Sequence, residues 1–221
     1  MSGKFKIRRM VEAARFPNVI EHTYFREINR PKGRWNEDFF KNSNSITLEL
    51  GCGKGEYTLF MAGKNPDRNY IGVDIKGPRI WRGAKSALEN DLGNVRFLRI
   101  FIDHLHDYFG KDEVDEIWIT FPDPYLVKKS KWKKRLTSSK FLNIYRKLLK
   151  PGGIIHLKTD SVELYDFTLE TIQKEGCSIV RKIDDLYSQA PDDKLLSVKT
   201  HYETIHLKDG KTIRYVAFRV G

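Results

Sequence analysis

Cysteine is nearly absent from this chain of 221 residues, which contains only Cys52 and Cys177. Two cysteines are too few for a disulfide framework or a thiolate zinc site, so the sequence indicates a reducing compartment. Long hydrophobic runs are also absent, since no apolar segment approaches the roughly 20 residues of a membrane-spanning helix. The basic N-terminus lacks the apolar core of a secretory signal. We therefore expect a cytoplasmic protein without a membrane segment. The histidines show no spacing typical of a metal site, so we expect no bound metal.

Acidic residues are outnumbered by basic ones, because 40 Lys and Arg stand against 29 Asp and Glu and give a formal net charge of +11. Such an excess favours a polyanionic partner, either nucleic acid or an acidic membrane surface. Residues 1–45 interleave basic and aromatic side chains, which is typical of an arm on a phosphate backbone or of a cap on the main domain. The length suits one α/β domain, which we place at 46–221, acting as a monomer or a homodimer.

A glycine-rich turn organises the rest of the chain. Residues 46–50 have the apolar, β-rich pattern of a buried strand, and Gly51, Gly53 and Gly55 follow directly. Glycine tolerates positive φ and lets a ligand approach the backbone, although a tight turn without a ligand would need it as well. The G-x-G-x-G spacing differs from the G-x-G-x-x-G of dinucleotide-binding folds. With Glu49 before it, the turn resembles the first motif of S-adenosylmethionine-dependent methyltransferases, in which Glu49 would suit the ammonium of the methionine moiety.

Strands alternate with helices along the chain, which indicates a doubly wound, mostly parallel sheet. The patterns predict helices at 56–64 and 78–91, a sharp turn at 150–153, and strands at 46–50, 69–74, 94–100, 115–121, 154–158 and 213–220. The last of these would be antiparallel. We expect a Rossmann-like α/β fold of about seven strands with helices on both faces, the fold of class I methyltransferases.

Acidic residues stand at or just after four predicted strand ends, namely Glu49, Asp74, Asp123 and Asp160. In open α/β sheets, ligands bind beyond the carboxyl ends of the strands. We therefore expect these acids to share one rim of the sheet. Asp74 follows the glycine turn by roughly 20 residues, the place from which such folds bind ribose hydroxyls.

A second motif, F-P-D-P at 121–124, presents Asp123 between two prolines that fix the turn. Six of the eight residues 128–135 are basic, and Trp132 among them could stack on a base. A basic run is often only a solvated face. Its position directly after the rim favours contacts with phosphate.

These motifs together resemble the bacterial-type tRNA (guanine-N7)-methyltransferase family over residues 46 to about 215. The resemblance is carried by Glu49–Gly55, Ile71–Asp74, Phe121–Pro124, Lys134–Leu136, Thr159–Asp160 and Thr200–Glu203. It implies that S-adenosylmethionine is the cofactor and that a guanine of tRNA, position 46 in the variable loop, is methylated at N7.

The resemblance also implies roles for single residues. Those expected to bind the cofactor are Glu49, Gly51, Gly53, Asp74, Ile102 and Asp123. Asp123 would also be the catalytic-site acid. Those expected to hold the substrate nucleotide are Lys128, Asp160, Thr200, Tyr202 and Glu203. Those expected on the RNA backbone are Lys129, Lys131, Lys133, Lys134 and Arg135.

Two departures from the family leave alternatives open. The family often has an acid near the adenine, where this chain has Phe101, so the contact could come from Ile102 or Asp103 instead. The loop after Asp123 is one residue longer than the common form, so the substrate lysine could be Lys128 or Lys129.

Guanine N7 carries a lone pair and no proton, so it can attack the methyl group in line without a general base. The enzyme then mainly aligns the reactants. Asp123 and Asp160 would accept hydrogen bonds from guanine N1–H and the amino group, a pattern that adenine reverses. Two rival functions remain: an N6-adenine or N2-guanine amino-group methyltransferase, because Asp123-Pro124-Tyr125 resembles part of its motif, and an RNA-binding protein that keeps the fold without catalysis.

Overall fold

A single sheet of eight strands organises the part of the chain that the computed structural model describes, residues 3–21 and 31–221. The strands are β1 Val19–Glu21, β2 Ser45–Leu50, β3 Arg68–Asp74, β4 Val95–Arg99, β5 Val114–Thr120, β6 Leu149–Thr159, β7 Ser178–Ile183 and β8 Arg214–Arg219. Their order across the sheet is β1-β4-β3-β2-β5-β6-β8-β7.

Helices connect most of these strands. They are α1 Gly3–Ala13, α2 Glu56–Lys64, α3 Gly77–Glu89, α4 Leu105–Tyr108, α5 Ser139–Leu148, α6 Val162–Lys174, α7 Leu186–Gln189 and α8 His201–Lys208. Shorter helical turns occur at Asn36–Phe40, Ile102–His104 and Lys129–Lys134. The predicted helices at 56–64 and 78–91 correspond to α2 and α3.

The strand directions confirm the predicted fold class. β8 is antiparallel to both of its neighbours, whereas the pairs from β1 through β6 are parallel. Two strands were not among those predicted, and they form the two edges of the sheet: β1 pairs with β4, with Val19 opposite Phe97, and β7 pairs with β8. The turn predicted at 150–153 lies within β6, where the register with β5 shifts between Val114 and Glu116.

Alternate residues of the central strands enter two hydrophobic clusters. In β5, Ile117 and Ile119 belong to one cluster and Trp118 to the other. Because side chains alternate across a strand, the sheet is buried on both faces, as parallel sheets are. Because β2, β3, β5 and β6 run parallel to one another, their carboxyl ends lie along one edge of the sheet.

The N-terminal segment packs on this sheet. Trp35 is fully buried; its ring stacks on Phe109 at 5.2 Å and its Nε1 donates to the Tyr108 carbonyl at 2.9 Å. Residues 22–30, which include Arg26 and Arg30 of the basic segment, lie outside the described residues. Contact of this arm with a phosphate backbone stays a prediction.

Helix α3 approaches the glycine turn closely at Gly83. A Cβ there would lie 2.4 Å from the Lys54 carbonyl oxygen and 2.8 Å from the Phe97 ring. Only a residue without a side chain allows this approach, since a backbone atom cannot move aside as a flexible side chain can.

We expect Gly83→Ala to destabilise the protein by about 2 kcal/mol in urea unfolding, because overpacking a tight contact disfavours the folded state. Gly63→Ala in α2 is the matched control, since no atom lies within 4 Å of its Cβ position. That control should stabilise the protein by up to about 1 kcal/mol. Equal unfolding free energies for the two variants would contradict the close approach.

Candidate active site

The glycine turn after β2 adopts backbone angles that favour glycine. Gly51, Gly53 and Gly55 have φ of +71°, +58° and +70°. A Cβ on Gly53 would meet nothing within 4 Å, and both Gly51 and Gly53 line a cavity of about 290 Å³. The turn therefore presents bare backbone to a ligand-sized cavity, which we call the smaller cavity.

Glu49 lies buried in the wall of the smaller cavity and joins three parts of the structure. One carboxylate oxygen accepts hydrogen bonds from Thr58 N at 2.8 Å and Thr58 Oγ1 at 2.5 Å, and the other accepts from Thr120 Oγ1 at 3.0 Å. Thr58 lies in the first turn of α2, and Thr120 ends β5. Burial raises the pKa of Glu49 to about 7 despite these donors.

Asp74 ties the end of β3 to the same turn. Its carboxylate accepts from Gly53 N and from Lys76 N, each at 2.8 Å. It also lines a second cavity of about 660 Å³, the larger cavity, and Asp123 lies in the same wall. Two of the predicted acids therefore share one cavity, beside the glycine turn.

The larger and smaller cavities adjoin, because Gly51, Arg79 and Phe121 line both. The three candidates for an adenine contact, Phe101, Ile102 and Asp103, all line the larger cavity. The Asp103 carboxylate is bonded to Lys140 Nζ, so part of its hydrogen-bonding capacity is already used.

The F-P-D-P loop holds Asp123 in a constrained backbone. Phe121 and Tyr125 have φ of 49° and 47°, a region that residues other than glycine adopt infrequently. Asp123 Oδ1 accepts from Tyr125 N at 3.0 Å, which closes a local turn. Strained backbone of this kind clusters at functional sites. The exposed Asp123 carboxylate is thereby held in the lining of the larger cavity.

Asp160, directly after β6, is hydrogen-bonded or close to two basic side chains. It accepts from Lys211 Nζ at 2.7 Å and lies 3.4 Å from His206 Nδ1. The His206 ring stacks near Phe121, with 6.0 Å between ring centroids. Asp160 lines neither cavity, but it directly follows β6, which runs parallel to β5, so it lies at the same edge of the sheet as the other three acids.

The basic run forms a short 3₁₀ helix at Lys129–Lys134. Its lysines and Lys128 are exposed, and Lys133 and Lys134 line the larger cavity. Trp132 is partly buried, with its ring edge-on to Phe167 at 5.9 Å. A cationic surface thus adjoins the mouth of the larger cavity.

The prediction that Arg135 contacts the RNA backbone is wrong. Arg135 is 1% exposed, and its Nε donates to the Pro124 carbonyl at 2.8 Å. Its guanidinium lies 4.5 Å from the ring centroids of both Trp132 and Phe167. Because it is enclosed by its own protein, Arg135 anchors the basic loop to the F-P-D-P loop.

The prediction that Glu203 holds the substrate is also wrong. Glu203 is fully buried; it pairs with Lys158 Nζ at 2.6 Å and accepts from Tyr187 at 2.8 Å. With Thr200 it forms a capping box at the start of α8, a role that the spacing T-x-x-E also signals. Thr200 lines the smaller cavity beside Tyr202, so their contacts with substrate stay predictions.

Sequence reasoning missed Arg79, Thr58, Thr120 and Lys158. Thr58 and Thr120 carry no motif of their own, and Lys158 lies inside a strand pattern. Among residues 3–21 and 31–221, no cluster of three or more His, Cys, Asp or Glu is suited to a metal ion. In the same ranges no helix is long and apolar enough to cross a membrane.

Solved structures and family comparisons agree on the class of protein. The 16S rRNA methyltransferase KamB superimposes with a TM-score of 0.63 over 84% of this chain and 92% of that one, at 16% identity. A 30S ribosomal A1408 methyltransferase from an uncultured bacterium gives 0.59 over 91% and 98%, at 15% identity. A family model described as "Putative methyltransferase" matches residues 43–216. The family model thus defines the chain as a methyltransferase, and the solved structures share its fold.

Two relatives define the family more closely. The tRNA (guanine-N(7)-)-methyltransferase of Christiangramia forsetii is 47% identical over the whole of both chains. That of Bacteroides thetaiotaomicron is 44% identical over 99% of this chain and 86% of its own length. The chain belongs to the tRNA (guanine-N7)-methyltransferase family.

We expect Glu49→Gln to remove a pH dependence of stability. Below pH 4.5 this carboxyl is protonated in both states, whereas between pH 4.5 and about 7 it ionises first in the unfolded chain. Glu49 therefore lowers the stability of the wild type by about 3 kcal/mol as the pH rises through that window, and the variant lacks this contribution. Urea unfolding at several pH values measures this difference.

Glu170→Gln is the control, because Glu170 is an exposed carboxyl on α6. Its profile should follow the wild type. If the Glu49→Gln profile also runs parallel to the wild type from pH 4.5 to 7, burial does not perturb Glu49.

Proposed function

We propose that this enzyme transfers the methyl group of S-adenosylmethionine to N7 of a guanine in tRNA, at position 46 of the variable loop, in the cytoplasm. The observation that carries the proposal is the shared wall of the larger cavity, where Asp74 and Asp123 lie together beside the glycine turn. The names of the full-length relatives support the nucleotide and the RNA.

The two adjoining cavities fit the two halves of the cofactor. Asp74 in the larger cavity would accept from the ribose hydroxyls, with Ile102 against the adenine. Glu49 in the smaller cavity would accept from the ammonium, since a carboxylate has acceptor sites beyond those that Thr58 and Thr120 use. Gly51 lines both cavities, at the junction. When bound, the cofactor supplies an electrophilic methyl group on a sulfonium.

The chain's own task is then alignment rather than proton transfer. The N7 lone pair carries no proton, so holding the purine in line with the methyl group supplies most of the rate enhancement. Asp123 and Asp160 would accept from guanine N1–H and the amino group. Adenine presents the reversed pattern and would leave these two acceptors without donors from the base, which disfavours it.

The exposed lysines after Asp123 would hold the polynucleotide. RNA-binding proteins commonly reach a splayed base while basic side chains contact the backbone around it. Lys128, or Lys129, would contact the target nucleotide. The other exposed cations of this loop, proposed on the backbone, are Lys129, Lys131, Lys133 and Lys134.

We expect Asp123→Asn to lower kcat about 100-fold while the Kd for S-adenosylmethionine stays within about threefold. The amide nitrogen would face the donors of guanine, a mismatch of about 3 kcal/mol. Single-turnover kinetics with tRNA, together with calorimetry of the cofactor, separate the two effects.

Asp67→Asn is the control, since Asp67 is exposed in the α2–β3 connection at the opposite edge of the sheet. Loss of cofactor binding in Asp123→Asn would mean that Asp123 serves the cofactor and not the purine. Unchanged kcat would remove Asp123 from the site.

We expect the triple variant Lys129→Gln, Lys131→Gln, Lys133→Gln to weaken tRNA binding and to flatten its salt dependence. Neutralising three phosphate contacts should lower the slope of log K against log salt by about 2. Fluorescence titrations at several salt concentrations measure the slope.

The matched control changes Lys41, Lys64 and Lys111 to Gln, three exposed lysines that precede strands at the opposite edge. Its slope should equal that of the wild type. If the two triple variants have equal slopes, the basic loop does not face the RNA.

The modified nucleoside decides between the proposal and its rivals. The protein is incubated with labelled S-adenosylmethionine and bulk tRNA, and the product is digested and mapped. We expect 7-methylguanosine at position 46. An N6- or N2-methylated nucleoside would establish an amino-group methyltransferase, and tRNA binding without any methyl transfer would establish a catalytically silent RNA-binding protein.

A further inference from the structure

Arg79 lies where the two cavities meet. It is the third residue of α3, which begins shortly after Asp74, and it lines both cavities. Its Nη2 donates to the Tyr202 hydroxyl at 2.6 Å, and its guanidinium carbon lies 5.5 Å from the Tyr202 ring centroid. The side chain therefore spans from α3 to the start of α8, across the cavity junction.

The positive charge of Arg79 affects the pKa of Cys52, which lies in the glycine turn. Burial raises the pKa of the Cys52 thiol, as do the charges of Glu49 and Asp74, whereas Arg79 lowers it. Arg79 lines the smaller cavity together with Gly51, Cys52 and Gly53, so this cation lies beside the backbone that a ligand would contact. Within residues 3–21 and 31–221, Arg79 forms no ion pair with a carboxylate, so its fork of donors is not taken up by an acid of that part of the chain.

The acids around the smaller cavity make a cation there necessary for the cofactor. The methionine end of the cofactor carries an ammonium and a carboxylate. Glu49 lines this cavity and suits the ammonium, but it repels the carboxylate. Glu56 also lines it, although its carboxylate already accepts from His201 N at 2.9 Å. The cofactor's carboxylate therefore needs a positive partner within the same wall.

We propose that Arg79 binds the carboxylate of the cofactor's methionine moiety and that Tyr202 holds the guanidinium in place for it. A guanidinium matches a carboxylate with two parallel hydrogen bonds, which a lysine cannot supply. The assignment rests on S-adenosylmethionine being the cofactor. A contact between Arg79 and the carboxylate would make the enzyme prefer ligands that retain this group.

Tyr202 connects this contact to the sheet. It lies in the first turn of α8, whose capping box includes Glu203, and Glu203 pairs with Lys158 of β6. The Tyr202 side chain therefore projects from the first turn of α8, which the ion pair between Glu203 and Lys158 attaches to β6. Tyr202 acts as a positioning residue, since it reaches the cofactor through Arg79.

The test compares ligands that differ in the carboxylate. S-adenosylmethionine and its decarboxylated form share the adenosine, the sulfonium and the amine, and differ only in that group. We expect Arg79→Met to weaken binding of S-adenosylmethionine about 30-fold in calorimetry, the range of hydrogen bonds to a charged group. Binding of the decarboxylated form should change less than threefold. Tyr202→Phe should show the same selectivity, with a smaller loss.

Arg82→Met is the matched control, because Arg82 is exposed on the same helix and lines neither cavity. Its affinities for both ligands should equal those of the wild type. Equal weakening of both ligands in Arg79→Met, or weakening of neither, would overturn the assignment. So would the same selectivity in Lys54→Met, since Lys54 also lines the smaller cavity. If the wild type binds neither ligand, the proposed function fails as well.

Discussion

The buried carboxylate of Glu49 is the constraint on which the site depends. It accepts from the first turn of α2 and from the last residue of β5, so it holds the glycine turn between two strand ends. A carboxylate removed from water is strongly disfavoured unless donors satisfy it. Here the donors are one backbone N–H and two hydroxyls, and they come from two elements, α2 and β5. Satisfying this one group ties β2, α2 and β5 together beside the glycine turn.

The same principle recurs around the rim. Asp74 accepts from the turn and from the start of α3, and Glu203 accepts from Lys158 while it caps α8. Each acid joins a strand end to a following helix or loop. The cavities are therefore bounded by elements that buried hydrogen bonds hold in position. The lysines of residues 128–134 differ from these acids, because their side chains are exposed to solvent.

Much of this arrangement could be predicted from sequence, because local patterns determine it. Apolar runs predicted the central strands, and the glycine spacing predicted the turn after β2. Acids directly after strands predicted the rim, since parallel strands end at one edge. Two strands were missed. Val19–Glu21 (β1) is too short to show a pattern, and Ser178–Ile183 (β7) is exposed except for its last residue, so it lacks the alternation of a half-buried strand.

The errors concern side chains whose surroundings come from distant parts of the chain. Arg135 sits in a basic run, yet Phe167 and Pro124 enclose it. Glu203 matches a family motif, yet its partner Lys158 lies on another element. Arg79 belongs to no motif, and only the tertiary fold places it between the two cavities. Burial of a charge depends on tertiary contacts, which the local sequence does not encode.

The central claim is that one cofactor spans both cavities and leaves Asp123 free at the rim for the purine. A crystal structure with S-adenosylhomocysteine tests it most directly. The account predicts adenosine in the larger cavity with ribose on Asp74, the amino acid in the smaller cavity, and the Asp123 carboxylate open beside the sulfur. Adenosine bound elsewhere, or an Asp123 carboxylate consumed by the ligand's own ammonium, would contradict it.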